Sequence, residues 1–456
     1  MTLLRLWSVA LLALCFLTGC PTPPPPQPPT QAAPEVPSDP APVVDDDLTV
    51  GFVHGLKVMV KQVEAAELGT MQLYVRGGAR FRTAENAGLD SLSVRAAVTG
   101  GTQTLDKDDF DKELFELGTE VGATALNAYS MFYAKALSEN MARSFELLAD
   151  VFIRPALPAK ELELQRARLL TQIKARTSSP DGQLAEQSRQ LFYAGHPYEH
   201  AASGTDLTVN RFTRDDLVAY MASLRQTSRL AIVVVGPVDY ATVAGWVKTQ
   251  FGELPRGTYT PPALPPVSHA APQLRTTMLN IPTTYVESSF STPGWEDPGF
   301  AASILAIRLL RKRLFDEVRT KRSLSYAPTA RHSWTSEVTR GSLYVSAENV
   351  NETMKVMFDE VEKLKTELIG EVELRGAKSV FITSTLMANE STDGQASFIA
   401  LCALVGGDHR LRHQLPERIK AVTPEQIRAF ARKYLTDMQT VVVGATEVDP
   451  AVFPQK

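Results

Sequence analysis

The chain has 456 residues, 44% apolar and 21% charged, with 47 Lys and Arg against 51 Asp and Glu. That length admits two or more domains and the balance is that of a globular protein. A formal charge of −4 gives no electrostatic footprint for nucleic acid.

Residues 1–19 carry one cation, Arg5, and an apolar run from Trp7 to Leu17 that is too short for a comfortable membrane span. They read as a secretory signal. Leu17-Thr18-Gly19-Cys20 resembles a bacterial lipoprotein cleavage site, which makes Cys20 the lipidated first residue of an exported chain. Several acyl chains would hold it stably to a bacterial membrane, expected here at the periplasmic face and on the outer membrane. Cys15 leaves with the signal and Cys20 is acylated, so Cys402 stands alone in an apolar run and reads as a buried small hydrophobe. Residues 20–47 follow as a tether. Pro21 to Asp47 holds 11 prolines in 27 residues, a semi-rigid polyproline spacer.

The folded region is expected from Leu48, as one α/β half over 48–255, a linker over 256–272 and a second half over 273–456. Val58-Met59-Val60 and Met71 to Val75 read as strands, the latter closing on Gly77-Gly78. A helix should start near Gly88, and a second spans Lys107 to Leu117 with Gly118 as a left-handed cap. Ala123 to Leu137 reads as one or two strands, and Met141 to Ile153 as an amphipathic helix. Pro155 and Pro158 divide it from the next helix, which carries Glu161 to Ile173.

An internal repeat appears next. Thr213-Arg214-Asp215-Asp216-Leu217 matches Thr423-Pro424-Glu425-Gln426-Ile427, and each is followed by a strand ending in Gly, at Gly236 and at Gly444. Two copies of one α/β unit of roughly 200 residues are implied. Pro255 to Pro272, without apolar periodicity, is the expected hinge between them, and the second half opens with a strand near Tyr285 to Ser291 and a helix from Pro298 to Thr320. Its basic run, Arg308, Arg311, Lys312 and Arg313, reads as the solvent face of that helix.

The stretch Gly88-Leu89-Asp90-Ser91-Leu92-Ser93-Val94-Arg95, closing on Gly100-Gly101-Thr102, resembles the opening of the pitrilysin/insulinase (inverzincin) zinc metallopeptidases, where the helix carries His-x-x-Glu-His. Here Ser91 and Arg95 stand at the two His positions and Val94 at the general base. The third ligand of that pattern, a Glu on a later helix, falls on Gln172, at the family's ligand separation from Arg95. Zinc needs imidazole, thiolate or carboxylate ligands and an open position for water. A serine is a poor ligand, and a guanidinium is a permanent cation with five donors and no acceptor. At an effective dielectric near 20, two unit charges about 4 Å apart interact by about 4 kcal/mol, so a dication would be repelled by roughly twice that. No metal is expected in this chain.

Arg319 to Tyr326 is similar to the second-half signature of the same family, Arg-x-x-x-Gly-Leu-x-Tyr, with Ser323 in place of the Gly. The resemblance implies that Arg319 and Tyr326 bind substrate backbone and support the developing oxyanion, donors typically worth about 10² to 10³ in rate. It also implies a clamshell of two homologous α/β (α+β) halves, each a mainly antiparallel sheet covered by helices. The implied function is a non-catalytic subunit of a heterodimeric metallopeptidase, which closes the chamber and binds peptide while a partner with intact His-x-x-Glu-His supplies zinc. The alternative is a structural or peptide-holding lipoprotein with no proteolytic role.

His196-Pro197-Tyr198-Glu199-His200 literally spells His-x-x-Glu-His, but Pro197 and the non-periodic flanks make it a loop. The ligand separation counted onward from His200 reaches Thr277 rather than a carboxylate. His409 and His413 beside Asp408 read as a polar loop-to-helix junction, two imidazoles alone being a weak metal site. His54, His269 and His332 have no partner nearby in the sequence.

Overall fold

The structure is a computed structural model and describes residues 39–453, so the signal, Cys20 and the tether up to residue 38 lie outside the described residues. In chain order the first half contributes β1 (Val43–Asp45), β2 (Leu48–Val53), β3 (Leu56–Gln62), β4 (Leu68–Arg76), α1 (Leu89–Thr99), α2 (Lys107–Leu117), β5 (Glu120–Ala125), β6 (Tyr129–Leu137) and α3 (Met141–Ile153). There follow α4 (Ala159–Ser178), α5 (Pro180–Phe192), α6 (Asp206–Arg211), α7 (Arg214–Ser223), β7 (Leu230–Gly236) and α8 (Tyr240–Phe251). The second half supplies β8 (Gln273–Met278), β9 (Thr284–Ser291), α9 (Phe300–Leu314), β10 (Thr329–His332), β11 (Arg340–Ala347), α10 (Val350–Thr366) and α11 (Glu371–Ala388). The last elements are α12 (Thr392–Ala400), α13 (Leu411–Ala421), α14 (Pro424–Tyr434) and β12 (Gln439–Gly444).

These strands form two mixed sheets, β1-β2-β3-β7-β4-β6-β5 and β10-β11-β9-β12-β8. Each contains one parallel pair, β3 with β7 and β8 with β12, and is otherwise antiparallel. The repeat read from the sequence is therefore a repeat of topology. Both repeat helices, α7 and α14, open on a capping box, Thr213 with Asp216 and Thr423 with Gln426, which satisfies orphan donors of the first turn. Gly118 caps α2 at φ 61°, ψ 35°, as its position predicts.

One face of each sheet carries the main core of its half. Leu73, Phe132 and Ile232 of the first sheet pack against Leu92, Phe145 and Leu217 from helices. Val286, Leu343 and Val442 of the second pack against Leu305, Met354 and Ile427. The opposite faces are closed reciprocally. Helix α5, from the first half of the chain, lays Leu184 and Leu191 on Tyr344, Val441 and Val443 of the second sheet. Helix α12, from the second half, lays Ala396, Ile399 and Ala400 on Tyr74, Ala231 and Val233 of the first. This exchange explains why β7 and β12 are buried at every residue.

The exchanged helices start alike. Ser179-Pro180-Asp181-Gly182-Gln183 and Ser391-Thr392-Asp393-Gly394-Gln395 occupy corresponding places in the two halves, and each Ser caps its helix by accepting from the Gly amide. At each Gly a Cβ would sit 1.8 or 1.7 Å from a carbonyl oxygen of the preceding helix, Arg176 or Ala388, so only glycine allows the tight elbow. Each Asp then reaches the other half's sheet. Tyr344 donates to Asp181 at 2.6 Å, and Gln72 donates to Asp393 at 3.1 Å.

Two expectations change. The tether does not run freely to Asp47, because β1 pairs with β2, Asp39 bonds the Gly55 amide and Arg412 binds Asp45 and Asp47. Acidic residues ending a proline tract serve here as anchors. The linker is also pinned rather than a free hinge. Thr227 donates to the Pro255 carbonyl, Arg80 donates to that of Pro262, and Leu264 and Val267 pack on Phe192, Tyr193 and Tyr198. No helix among the described residues is long and apolar enough to cross a membrane.

Candidate functional site

Helix α1 begins at Gly88, which takes φ 96° and so lets the chain turn sharply into the helix. Ser91, Val94 and Arg95 stand at i, i+3 and i+4 and share one face. Ser91 is buried, Val94 is wholly buried in the core and Arg95 is half-buried. Among the described residues no hydrogen bond or ion pair engages the Arg95 guanidinium. Helix α4, carrying exposed Gln172, packs beside α1, so the fold keeps together the two helices that bear the vacated positions.

These residues do not fit zinc. They offer one hydroxyl, one amide, one alkyl group and one fixed cation in place of three ligands and a base. The carboxylate beside Ser91 is already committed: Asp90 pairs with Arg82 at 2.7 Å, both side chains buried, and also accepts from the Ser91 amide at 2.8 Å. Arg82 in turn donates to Asn127 and to the His200 carbonyl, each at 3.2 Å. A buried ion pair, with the Arg82 Nη atoms bonded and its buried Nε left without a partner, thus braces the start of α1.

Arg319 and Tyr326 are brought together. Helix α9 passes into a π-helical turn over Phe315–Thr320, a rare widening that recurs at functional sites. The chain then reverses at Ser323, whose φ is 54°, with Ser323 donating to the Arg319 carbonyl and Leu324 to that of Val318. Ser323 thus adopts the left-handed conformation that the family's Gly takes without strain, and the substitution preserves the turn. Its result is a stack. The Arg319 guanidinium lies 4.3 Å from the Tyr326 ring centroid and 4.9 Å from that of Phe315. Tyr326 is 79% exposed.

The neighbouring cations are neutralised while Arg319 is not. Glu317 accepts from Lys321 and Arg322, which hold its carboxyl down to about 2. Among the described residues Arg319 has only its two aromatic rings. A guanidinium whose donors are free and whose plane is held by rings, next to an exposed phenol, can donate to a carbonyl or carboxylate with little reorganisation. Phe315 was the part of this site not singled out from the sequence; its spacing of four from Arg319 is the signal that pointed to it.

The literal His-x-x-Glu-His string at His196 to His200 is a loop, as its proline requires. Pro197–Glu199 is a single 3₁₀ turn, His196 Nδ1 accepts from the Tyr198 amide, and Glu199 accepts from the Gly195 amide. His409 lies near Asp45 at 3.3 Å and helps anchor β1. Cys402 is fully buried, and burial pushes its thiol up to about 12. In the basic run Arg311 and Lys312 are exposed, whereas Arg313 makes a bidentate pair with Glu373 at 2.8 Å.

Residues 57–206 match the family model described as insulinase, peptidase family M16, and residues 211–381 match that of the peptidase M16 inactive domain. The inactive-domain description attaches to the later residues only, so the vacated positions Ser91, Val94 and Arg95 lie in the insulinase match. An uncharacterized zinc protease of Mycobacterium tuberculosis is 26% identical over 432 residues, 92% of this chain and 98% of its own. The beta subunit of the mitochondrial-processing peptidase of Mus musculus is 23% identical over 441 residues, 92% of this chain and 88% of its own. Among solved structures, a peptidase M16 inactive domain from Pseudomonas fluorescens superposes with a TM-score of 0.81 at 19% identity, covering 88% of this chain and 99% of that one. The periplasmic protease PqqL of Escherichia coli gives 0.75 at 17% identity over 91% of this chain and 47% of its own. With two models of one family placed end to end along most of the folded region, and the fold matched by its members, the chain belongs to the M16 (insulinase) peptidase family.

Proposed function

We propose that this chain is the non-catalytic subunit of a two-chain zinc metallopeptidase. The observation that carries the proposal is the replacement of three ligand positions and the base by Ser91, Arg95, Gln172 and Val94 within an otherwise intact fold, while Arg319 and Tyr326 stay assembled. A partner with an intact His-x-x-Glu-His helix supplies zinc, ligands and base. This chain, whose halves 48–255 and 273–456 are interlocked through α5 and α12, closes the chamber and offers Arg319 and Tyr326 to the peptide. Its likeness to a protein named as one subunit of a processing peptidase supports a paired arrangement. A signal before Cys20 and an anchored tether support a location at the periplasmic face of a membrane, lipid-bound through Cys20.

The test is reconstitution. The purified chain alone should cleave no peptide, and adding the zinc-bearing partner that co-purifies with it should restore cleavage. Arg319→Ala should then reduce that cleavage about 10² to 10³-fold, the scale of one oxyanion donor. Full partner activity without this chain would refute the proposal. A second reading, a structural lipoprotein that holds peptide without hydrolysis, is supported by the fold match to a chain of complex III from Candida albicans, TM-score 0.73. That reading expects peptide binding with no catalytic partner.

A further inference from the structure

The two sheets differ at one edge. Strand β3, the parallel neighbour of β7, is covered on its other side by antiparallel β2. Its counterpart β8, the parallel neighbour of β12, is the last strand of its sheet, with no strand on its outer side among the described residues. Exposed edges are normally blunted by proline, a bulge or inward charge. Gln273-Leu274-Arg275-Thr276-Thr277-Met278 holds neither a proline nor an inward charge: its one charged residue, Arg275, is exposed, and Pro272 lies just before the strand. Leu274 and Met278 are 44% and 59% exposed, four apart and therefore on one face.

The ladder to β12 decides which groups are free. Gln273 donates its amide to the Met438 carbonyl and Leu279 donates its own to that of Gly444, so the odd-numbered residues turn toward β12. By alternation, the amides and carbonyls of Leu274, Thr276 and Met278 point outward. We infer that two copies of this chain pair through β8, antiparallel about a twofold axis perpendicular to the sheet, with Thr276 opposite Thr276 of the second copy.

Strand geometry singles out this register. A perpendicular twofold keeps each face on its own side, so only residues of the same parity can stand opposite one another. With Thr276 on the axis, Leu274 meets Met278 of the second copy twice, both apolar pairs lie on one face, and the three outward residues of each strand all fall at hydrogen-bonded positions. Shifting the axis to Arg275 sets guanidinium against guanidinium and brings Pro272, which has no amide hydrogen, opposite Met278. The sequence of β8 is thus self-complementary in one register. The prolines of residues 21–29 make that tract a poor substitute occupant, since each proline removes a ladder donor.

Arg319 and Tyr326 precede β10, at the opposite edge of the same sheet, so the inference does not depend on the reading of that site. A ladder this short sits at the low end of interface sizes, so the dimer should be weak and concentration-dependent, with a dissociation constant of about 10 to 100 μM.

Sedimentation velocity of the full chain across that range tests it. The wild type should shift from monomer to dimer, and Thr276→Pro, which removes an outward donor without touching the β12 ladder, should remain monomeric with unchanged circular dichroism. Oxidation fixes the register. Opposed hydrogen-bonded residues have Cα atoms about 5.5 Å apart, within disulfide reach. In a chain whose Cys15 and Cys20 are both changed to Ser, Thr276→Cys should crosslink to a covalent dimer and Arg275→Cys should not. A wild type that stays monomeric throughout the range, a dimer that survives Thr276→Pro, or preferential crosslinking through Arg275→Cys would overturn the inference.

Discussion

At Ser323 a serine holds φ 54° at a turn that the family's pattern gives to glycine. A non-glycine residue in the left-handed region costs roughly 1 to 2 kcal/mol, so Ser323→Gly should stabilise the chain by about 1 kcal/mol, measured as a rise in the urea midpoint at constant slope. Loss of stability would show that the Ser323 side chain, rather than its backbone, matters at the turn. Asp90→Asn makes the opposite test. It leaves Arg82 buried without a countercharge beside the vacated helix, and breaking such a pair costs about 3 to 5 kcal/mol. Denaturant unfolding that loses less than about 1 kcal/mol would show that water reaches the pair. Ser91, Arg95, Arg319 and Tyr326 could be singled out from the sequence only through its resemblance to the family's two motifs, whose spacing is local. The Arg82–Asp90 pair and the π-helical turn were not, since burial and helix widening depend on what packs against them.

At the scale of elements, the exchange of α5 and α12 organises the molecule. The sequence repeat was visible in the Thr213 and Thr423 caps, yet the more telling copy, Ser-x-Asp-Gly-Gln at Ser179 and Ser391, shows its meaning only in three dimensions. A motif discloses a cap, but not which sheet the capped helix covers. The strands from Val58 and Met71 were legible from apolar periodicity, whereas exposed β8, with no period-two burial, was not. Asp181 accepts from Tyr344 across the two halves, with the Tyr344 phenol pushed upward by burial first and by that carboxylate second. Asp181→Ala should therefore cost about 1 to 2 kcal/mol, and a double-mutant cycle with Tyr344→Phe should return a coupling of about 1 kcal/mol. Strict additivity of the two substitutions would mean that apolar packing alone joins the halves.

For the whole molecule, acid stability carries a sign that can be worked out. Burial depresses His332 to about 3 from an ordinary 6.5, and it also lowers His196 and His269. Between about pH 6.5 and 3 the unfolded chain binds a proton at His332 that the folded chain refuses, so stability is full above that window and falls as pH drops through it. One such group gives a slope of at most about 1.4 kcal/mol per pH unit. His332→Gln should flatten the dependence of the urea midpoint across the window, and an unchanged slope would place the proton uptake elsewhere.

The measurement that bears most directly on the non-catalytic reading is zinc stoichiometry of the purified chain after equilibrium dialysis against micromolar zinc. A side-by-side sample should carry Ser91→His, Val94→Glu, Arg95→His and Gln172→Glu together. The account predicts no stoichiometric zinc on the native chain and about one ion per chain on the restored one. One zinc per native chain, released by Ser91→Ala or Gln172→Ala and accompanied by chelator-sensitive peptide cleavage, would contradict it.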